Sequence, residues 1–452
     1  MDTKTDMRTK LGTEKIGRLL VQLAIPTLTA QLVNMLYNIV DRIDIGRIPG
    51  EGALALTGLG LCVPVLMLVT AFANLIGMGG APRASIEMGR KNMEGAEQIL
   101  GNCFATLVGL ALVLTVLFRA GARPMLFLFG ASENTIGYAL DYLNIYILGS
   151  ISVMLSLGLN AFITTQGFSR ISMLTVMIGA VINIVLDPVF IFVFHMGVKG
   201  AALATILSQT VSALWVLRFL TGKKTLLRIK KKNLRVQLSV LLPVLALGMG
   251  TFVMVSTESL LSVVFNSSLQ KYGGDLAVGA MTILSSSMQI CNMPILGLTQ
   301  GAQPITSYNY GAGKMERVKA TFRLLFLSSM GYTSAMWLLM ILAPQVLPSL
   351  FTRDPALLSY ASWAIRIYMG MIFVFGAQLA CQQTFVALDQ AKSSLFLALF
   401  RKVLVLIPLI YLLPMFLEDK VFAVFLAEPI ADTLAALVTT LMFFFQFRRI
   451  TK

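Results

Sequence analysis

The stretch LIGMGGAPRASIEMGRKNMEGAEQ, residues 75 to 98, has a partial copy later in the chain: GLTQGAQPITSYNYGAGKMERVKA, residues 297 to 320. The two stretches align without a gap at an offset of 222 residues, which pairs Gly79 with Gly301 and Pro82 with Pro304. Two unrelated apolar segments would share composition but not this ordered series of glycine, proline, serine and methionine. We conclude that the chain contains an internal duplication.

Around these two stretches the sequence is strongly apolar. The 452 residues are 57% hydrophobic and 13% charged, and the mean hydropathy is +0.80. Twelve runs are long enough for a helix to cross roughly 30 Å of hydrocarbon. They are 19 to 46, 53 to 78, 96 to 118, 136 to 163, 173 to 195, 199 to 220, 238 to 265, 275 to 307, 320 to 347, 358 to 387, 395 to 416 and 421 to 447. The sequence therefore predicts an all-α integral membrane protein with twelve transmembrane helices.

The duplication divides these spans into two pseudo-symmetric six-helix bundles. Six is an even number, so both halves enter the membrane with the same orientation and form parallel repeats, an architecture typical of secondary transporters. The predicted segments are an N-terminal segment 1–18, an N-lobe 19–220, a basic linker 221–237, a C-lobe 238–447 and a tail 448–452.

The basic charge follows the membrane topology. The formal net charge is +15, and most lysines and arginines fall on the side of the N-terminus, as the positive-inside rule describes for cytoplasmic segments. We therefore expect both termini and the linker in the cytoplasm, no cleaved leader, and no nucleic-acid partner. The four cysteines fall in apolar segments, where we expect them to be buried, and one histidine is too few for a Cys/His metal cluster.

A stripe of polar residues runs along the first predicted span. Its members, Thr27, Gln31, Asn34, Asn38 and Asp41, are spaced four or three apart and share one helix face. A carboxylate at this depth costs a few kcal/mol even on lenient scales, so such groups usually face a cavity and serve ions, protons or substrate.

The fifth predicted span carries a second polar group in NIVLDPVF, residues 183 to 190. Asn183 and Asp187 are four apart and share a face. Pro188 cannot bond to the carbonyl of Ile184, so it frees an acceptor beside the acid. Together with Asp41 these groups could form a small-cation or proton site, although a structural kink with a satisfied Asp187 is the alternative.

The second half has no acid at the position equivalent to Asp187. It offers instead a set of polar residues at helical spacing, which predicts a broad polar cavity rather than a tight ion cage. These residues are Glu258, Gln289, Asn292, Gln378, Gln382, Glu428 and Asp432.

Taken together, these motifs resemble the multidrug and toxic compound extrusion (MATE) transporters, in particular their bacterial branch. The resemblance covers essentially the whole chain and rests on LAIPTLTAQLVNMLYNIVDRIDIGRI, GALALTGLG, NIVLDPVF, GAALATILSQ, PILGLTQGAQPITSYNYGAG and AEPIAD. It implies two lobes that form a V-shaped cavity in a bacterial cytoplasmic membrane. It also implies a monomer that exports organic cations or amphipathic drugs in exchange for H⁺ or Na⁺, with no other cofactor.

The resemblance also implies roles by position. The cation or proton site would be Asp41, Asn183, Asp187 and Thr205, with Asn160 beside it. The substrate would contact Asn34, Tyr37 and Asn38 of the first span and the seven polar residues of the second half, among which Gln378 stands where some relatives carry an aspartate.

The sequence bears on three other functional classes. A lipid-linked oligosaccharide flippase of the same superfamily is the closest alternative, but such flippases tend to have a more basic cavity than the acidic one expected here. An enzyme or a nucleotide-driven pump would need a catalytic constellation or a phosphate loop with GKS or GKT, and the sequence contains neither.

Overall fold

The computed structural model describes residues 9–49 and 52–450, and within these ranges all regular structure is helical. The first half contains α1 (Ile16–Gly46), α2 (Gly52–Gly89), α3 (Met93–Leu128), α4 (Ile136–Leu148), α5 (Ser150–Thr165), α6 (Ser169–Pro188) and α7 (Gly197–Thr221). The second half contains α8 (Leu238–Gly311), α9 (Met315–Leu342), α10 (Pro355–Tyr368), α11 (Ile372–Ala387), α12 (Ala391–Leu399), α13 (Ile407–Phe416) and α14 (Lys420–Ile450).

The predicted number of membrane spans is confirmed. Among the described residues, nine helices are long and apolar enough to cross a membrane, and two bent pairs, α4 with α5 and α10 with α11, each form one more span. One of the nine, α8, has 74 residues and would be about 110 Å long if it were straight, far more than one crossing needs. The backbone of Gly274 is not helical, with φ of 65°, and divides α8 into two spans. The total is therefore twelve.

The predicted boundaries are less accurate than the number of spans. The second span was predicted to end at residue 78, but α2 continues to Gly89, so much of the first quoted stretch is helical. The predicted spans 136 to 163 and 358 to 387 are each broken, with bends of 56° and 52°. Hydropathy reports the length of an apolar run but not a change in the direction of the helix.

The two lobes meet along a seam formed by glycines of α2 and α8. A Cβ atom added to Gly248 would lie 1.8 Å from the carbonyl oxygen of Leu75, and one added to Gly311 would lie 2.0 Å from that of Ile86. Since real Cβ atoms never approach so closely, only glycine permits this contact between the two backbones. The duplicated glycines Gly79 and Gly301 serve the same purpose, since a Cβ atom added to them would lie 2.2 Å from the carbonyl oxygen of Val244 and 2.6 Å from the Cα atom of Ala24.

The lobes separate beyond this seam. Thr27 of α1 donates a hydrogen bond to the carbonyl oxygen of Gly297 at 2.6 Å, and Gln31 bonds to Gln300 at 3.2 Å. Past Gln31, the side chains of α1 are half-buried or exposed until Asp41 is reached. The lobes are thus closed on the side of the N-terminus and apart on the other side.

The linker between the halves is attached to the N-lobe. The side-chain oxygen of Gln166 accepts hydrogen bonds from the hydroxyl of Thr225 and the backbone amides of Leu226 and Leu227, at 2.8 to 2.9 Å. At the end of the linker, Asn102 accepts a hydrogen bond from the amide of Gln237 at 2.6 Å. This segment therefore moves with the N-lobe.

The N-terminal segment shows the reverse arrangement, because it lies on the C-lobe. The carbonyl oxygens of Leu11, Gly12 and Glu14 accept hydrogen bonds from Asn309, Lys314 and Arg317, at 2.7 to 2.9 Å. Each lobe thus holds a segment of chain that leads into the other lobe.

The cysteines lie where the sequence predicted. Cys62, Cys103, Cys291 and Cys381 are all buried and free. They are packing residues in the helix bundle.

Candidate functional site

The candidate cation site lies where α1 packs against α6. The α6 helix ends at Pro188 and continues as a wider π-helical turn, Val189–Val193. A proline at this point removes one backbone hydrogen bond, and single wide turns of this kind often occur at functional sites. The break places Asp187 at the end of the regular helix.

Three of the predicted residues form a connected group in the N-lobe. The amide nitrogen of Asn183 donates to Asp187 at 3.2 Å and lies 3.5 Å from the hydroxyl of Thr205 on α7. All three side chains are buried. The i, i+4 spacing read from the sequence therefore corresponds to a direct contact.

Asp41 completes this group from the opposite helix. Its carboxyl group lies close to that of Asp187, and the two residues are 8% and 0% exposed. Three buried oxygens, one each from Asp41, Asn183 and Asp187, accept no hydrogen bond from the described part of the chain. Buried acceptors without donors normally indicate a missing partner.

Tyrosines surround the acid pair. Tyr37 lies on α1 close to Asp41 and Asn38. Tyr142, on α4, lies close to Thr205, and its ring stacks on that of Tyr146 at 6.1 Å. Tyr142 was not predicted from the sequence, because its proximity to Thr205 depends on the packing of two helices that are distant in the chain.

The chemistry of this arrangement suits a monovalent cation or a proton. Two carboxylates in a poorly hydrated site repel each other, and one positive charge between them offsets that repulsion. Within the described residues, no group of three or more histidine, cysteine, aspartate or glutamate residues could hold a metal. An amide and a hydroxyl beside two acids are oxygen ligands suited to a hard ion of low charge.

Asn160, which was expected beside this group, contacts a different part of α6. Its amide donates to the carbonyl oxygen of Ser172 at 3.3 Å. Ser172 precedes Asn183 on α6 by eleven residues, which is about 16 Å along a helix. Asn160 therefore contacts α6 well before the acid pair.

The expected substrate residues of α1 and α8 lie past the last bond between these helices. Asn38 is exposed, and its side chain donates to the carbonyl oxygen of Asn34 at 2.6 Å. Gln289 is exposed and Asn292 is half-buried. These polar groups occupy the stretches where the two lobes have separated.

The remaining expected residues belong to a charged cluster in the C-lobe. Glu428 and Asp432, one turn apart on α14, both accept from Arg401, at 2.8 and 2.7 Å. The guanidinium group also lies over the ring of Phe375, 5.1 Å from its centroid. The arginine is therefore bound on several sides within the lobe.

The neighbouring Lys402 forms a second ion pair. Its ammonium group is paired with Glu258 and donates to the carbonyl oxygen of Met254 at 2.8 Å. Gln382 contacts the sulfur of the same methionine at 3.2 Å. A cavity of about 10 Å³, room for roughly one water, lies between these groups, and Gln378 also lines it.

Neither cation was predicted from the sequence, and together they offset most, though not all, of the negative charge expected in the second lobe. Arg401 and Lys402 stand in a π-helical segment, Phe400–Leu406, and each acid of the cluster is ion-paired. The signal was present in LFLALFRKVLVLIPL, residues 395 to 409, where two adjacent cations interrupt an apolar run. Such residues within a span usually face the bundle interior and pair there.

Duplicated six-helix lobes that meet on one side and a buried acid pair are features of a membrane transporter. The sequence model of the MatE family matches residues 26–189 and 250–412, once in each half. The chain belongs to the MatE family of membrane transporters, and it is a multi-pass membrane protein.

Curated relatives and solved structures are similar over nearly the whole chain. The multidrug export protein MepA of Staphylococcus haemolyticus is 24% identical over 94% of this chain and 93% of its own length. A crystal structure of MATE in the bent conformation superimposes with a TM-score of 0.91, at 22% identity, over 100% of this chain and 98% of the other. An outward-facing MATE family multidrug resistance transporter of the MOP superfamily gives 0.90 at 23% identity, covering 98% and 99%.

Proposed function

We propose that the protein is a secondary active multidrug antiporter that exports organic cations and other amphipathic compounds in exchange for H⁺ or Na⁺. The observation that carries this proposal is the buried pair of Asp41 and Asp187, whose free acceptor oxygens lack a partner within the described chain. The similarity to multidrug export proteins over 94% of the chain supports the choice of substrate class.

The mechanism follows from the repulsion between the two acids. Binding of H⁺ or Na⁺ from the outer side removes the repulsion and lets α1 and α6 approach near the break at Pro188. This favours the state that releases substrate outward. Loss of the ion to the cytoplasm restores the repulsion and favours the state that accepts substrate from inside.

The test is ion-gradient-driven uptake of ethidium into everted membrane vesicles, with Na⁺ and pH gradients applied separately. Asp41→Asn and Asp187→Asn should each reduce gradient-driven uptake to the passive leak while the protein remains in the membrane. The double variant should be little worse than either single one, because residues that act as a unit are not additive.

Asp141→Asn is the matched control, since this carboxylate of the same lobe is on the surface and pairs with Lys199 at 3.4 Å. It should transport like the wild type. Near-normal transport by either Asp41→Asn or Asp187→Asn, with unchanged ion dependence, would show that coupling occurs elsewhere.

The same vesicles separate this function from a flippase. Three carboxylates against two cations leave the C-lobe cluster with a formal charge of −1 rather than the basic character typical of a flippase. A panel of cationic, neutral and anionic compounds should show uptake of the first two classes. Uptake of anionic lipid-linked sugars alone would favour the flippase.

A further inference from the structure

The two lobes use corresponding helix pairs in different ways. In the N-lobe, Asp41 of α1 meets a second acid, Asp187 of α6. An offset of 217 residues places Glu258 of α8 where Asp41 stands in α1. The partner helix of Glu258 supplies Lys402 instead of an acid, whereas the offset of 222 residues places Ala180 of α6 at the position equivalent to Lys402.

The ion pair of Lys402 and Glu258 is asymmetric in its burial. The lysine side chain is 7% exposed and the glutamate side chain is 63% exposed. The ammonium group is fixed from the buried side by the carbonyl oxygen of Met254, at 2.8 Å. A compound arriving from outside the lobe therefore meets the carboxylate first, with its neutralising cation held directly behind it.

The other cation near this pair has partners of its own. Arg401, adjacent to Lys402 in the chain, binds Glu428 and Asp432 on α14. Tyr368 of α10 lies close to the same acids. The arginine pairs with these two acids, so Lys402 is the cation that neutralises Glu258.

The position of Glu258 connects it with the gap between the lobes. Phe252, six residues earlier on α8, still contacts the N-lobe, with its ring 4.9 Å from that of Phe72. Six residues are about 9 Å along a helix. Glu258 is thus beyond the seam, on a stretch of α8 that has an exposed carboxylate to offer to a substrate.

We propose that Lys402 is a specificity-determining residue, which neutralises Glu258 and so lowers the preference of the C-lobe for substrates of higher positive charge. The proposal rests on the proposed multidrug transport function. A unit charge held at hydrogen-bond distance cancels most of the field of the carboxylate at a bound ligand. The C-lobe therefore favours monocations and neutral amphipaths over dications.

The test is equilibrium binding of two matched dyes, ethidium with one positive charge and propidium with two, to the purified full-length protein in detergent at fixed pH and salt. Lys402→Met should tighten propidium binding relative to ethidium by about three- to tenfold, the size of one uncompensated charge at several ångströms in hydrated surroundings. Lys402→Arg should keep the wild-type ratio, because it keeps the charge.

The double variant gives the sharpest result. Glu258→Gln alone should shift the ratio away from propidium, whereas Lys402→Met with Glu258→Gln should return it to the wild-type value, since both states of the pair carry no net charge. If Glu258 bound the cation without restraint by Lys402, the double variant would behave like Glu258→Gln and the proposal would be overturned. This comparison decides the matter even if Lys402→Met alone does not reach the membrane.

Lys392→Met is the control, because it removes a cation near the start of the same span on an exposed site. It should leave the dye ratio unchanged, and a shift as large as that of Lys402→Met would also contradict the proposal. Binding needs no ion gradient. Failure of vesicle transport in the wild type would refute the proposed antiport, whereas an unchanged dye ratio in the Lys402 variants would refute only the role of this lysine.

Discussion

Arg401 is the residue on which the charged cluster of the C-lobe depends. It is buried between Glu428 and Asp432 and bonds to both. A buried ion pair contributes little net stability compared with apolar residues, but removing one partner leaves an uncompensated charge and is strongly destabilising. The arginine therefore holds two acids in the lobe that would otherwise oppose its folding.

Arg401→Met should lower the free energy of unfolding by about 3 to 5 kcal/mol, the usual cost of breaking a buried pair. Arg401→Lys keeps the charge but loses the two-pronged geometry, so it should cost less. The measurement is unfolding of the purified protein in detergent, with Lys392→Met as the surface control. A variant Arg401→Met as stable as this control would contradict the assignment.

At this scale the sequence predicted part of the candidate site. The spacing of Asn183 and Asp187 was sufficient to predict their contact, because four residues are close to one helical turn. The pairing of Asp187 with Asp41 needs two helices to meet, and it was expected from the resemblance to the MATE transporters rather than from the spacing. Arg401 was not predicted because hydropathy is averaged over a window of residues. Two cations in such a window lower the average too little for the segment to stop reading as a membrane span.

At the scale of helices, the sequence determined lengths better than directions. The bend between α4 and α5 occurs at Gly149, and a Cβ atom there would lie 2.2 Å from the side chain of Ile206. Glycine is required at this position because a side chain would collide with a neighbouring helix that is distant in the chain. The residues near Gly149 in the sequence do not show which helix packs against it, so the bend could not be predicted.

The contact between α2 and α8 gives a prediction at this scale. Gly311→Ala places a methyl group against the carbonyl oxygen of Ile86, where only 2.0 Å is available, so the two lobes must move apart at this end. Spin labels at Arg90 and Lys319, both exposed, should report a longer or broader distance distribution by pulsed electron resonance. Export should be slower, because this closed state is disfavoured.

Gly331→Ala is the matched control, since an added Cβ there meets nothing within 4 Å. It should leave both the distance distribution and the transport rate as in the wild type. Equal distributions for Gly311→Ala and Gly331→Ala would mean that the seam tolerates a side chain and does not depend on glycine.

For the whole molecule, the duplication in the sequence was sufficient to predict the fold. The apolar runs gave twelve spans, the duplication divided them into two six-helix halves that form parallel repeats, and the family model matches once in each half. What these features could not give is which ends of the lobes touch. A transporter changes those contacts during its cycle, and the composition of the helices suits both states.

The orientation in the membrane remains a prediction from the basic residues. Single cysteines introduced at Lys231 and Arg353, which are both exposed, should react with an impermeant maleimide from opposite sides. Only the second should label on intact cells, because the positive-inside rule places the linker in the cytoplasm. The native cysteines are buried and should give little background. Labelling of both sites on intact cells would overturn this topology.

The crossed attachment of the two chain segments has a mechanical consequence. The linker is fixed to the N-lobe as far as Gln237, and α8 begins at the next residue. The N-terminal segment is pinned to the C-lobe through Arg317. The free lengths of chain that connect the lobes are therefore short, and they restrict how the lobes can move relative to each other. Their relative motion is rotation about two short joints, one before Ile16 and one before Leu238, which together define a hinge line along the closed edge of the molecule.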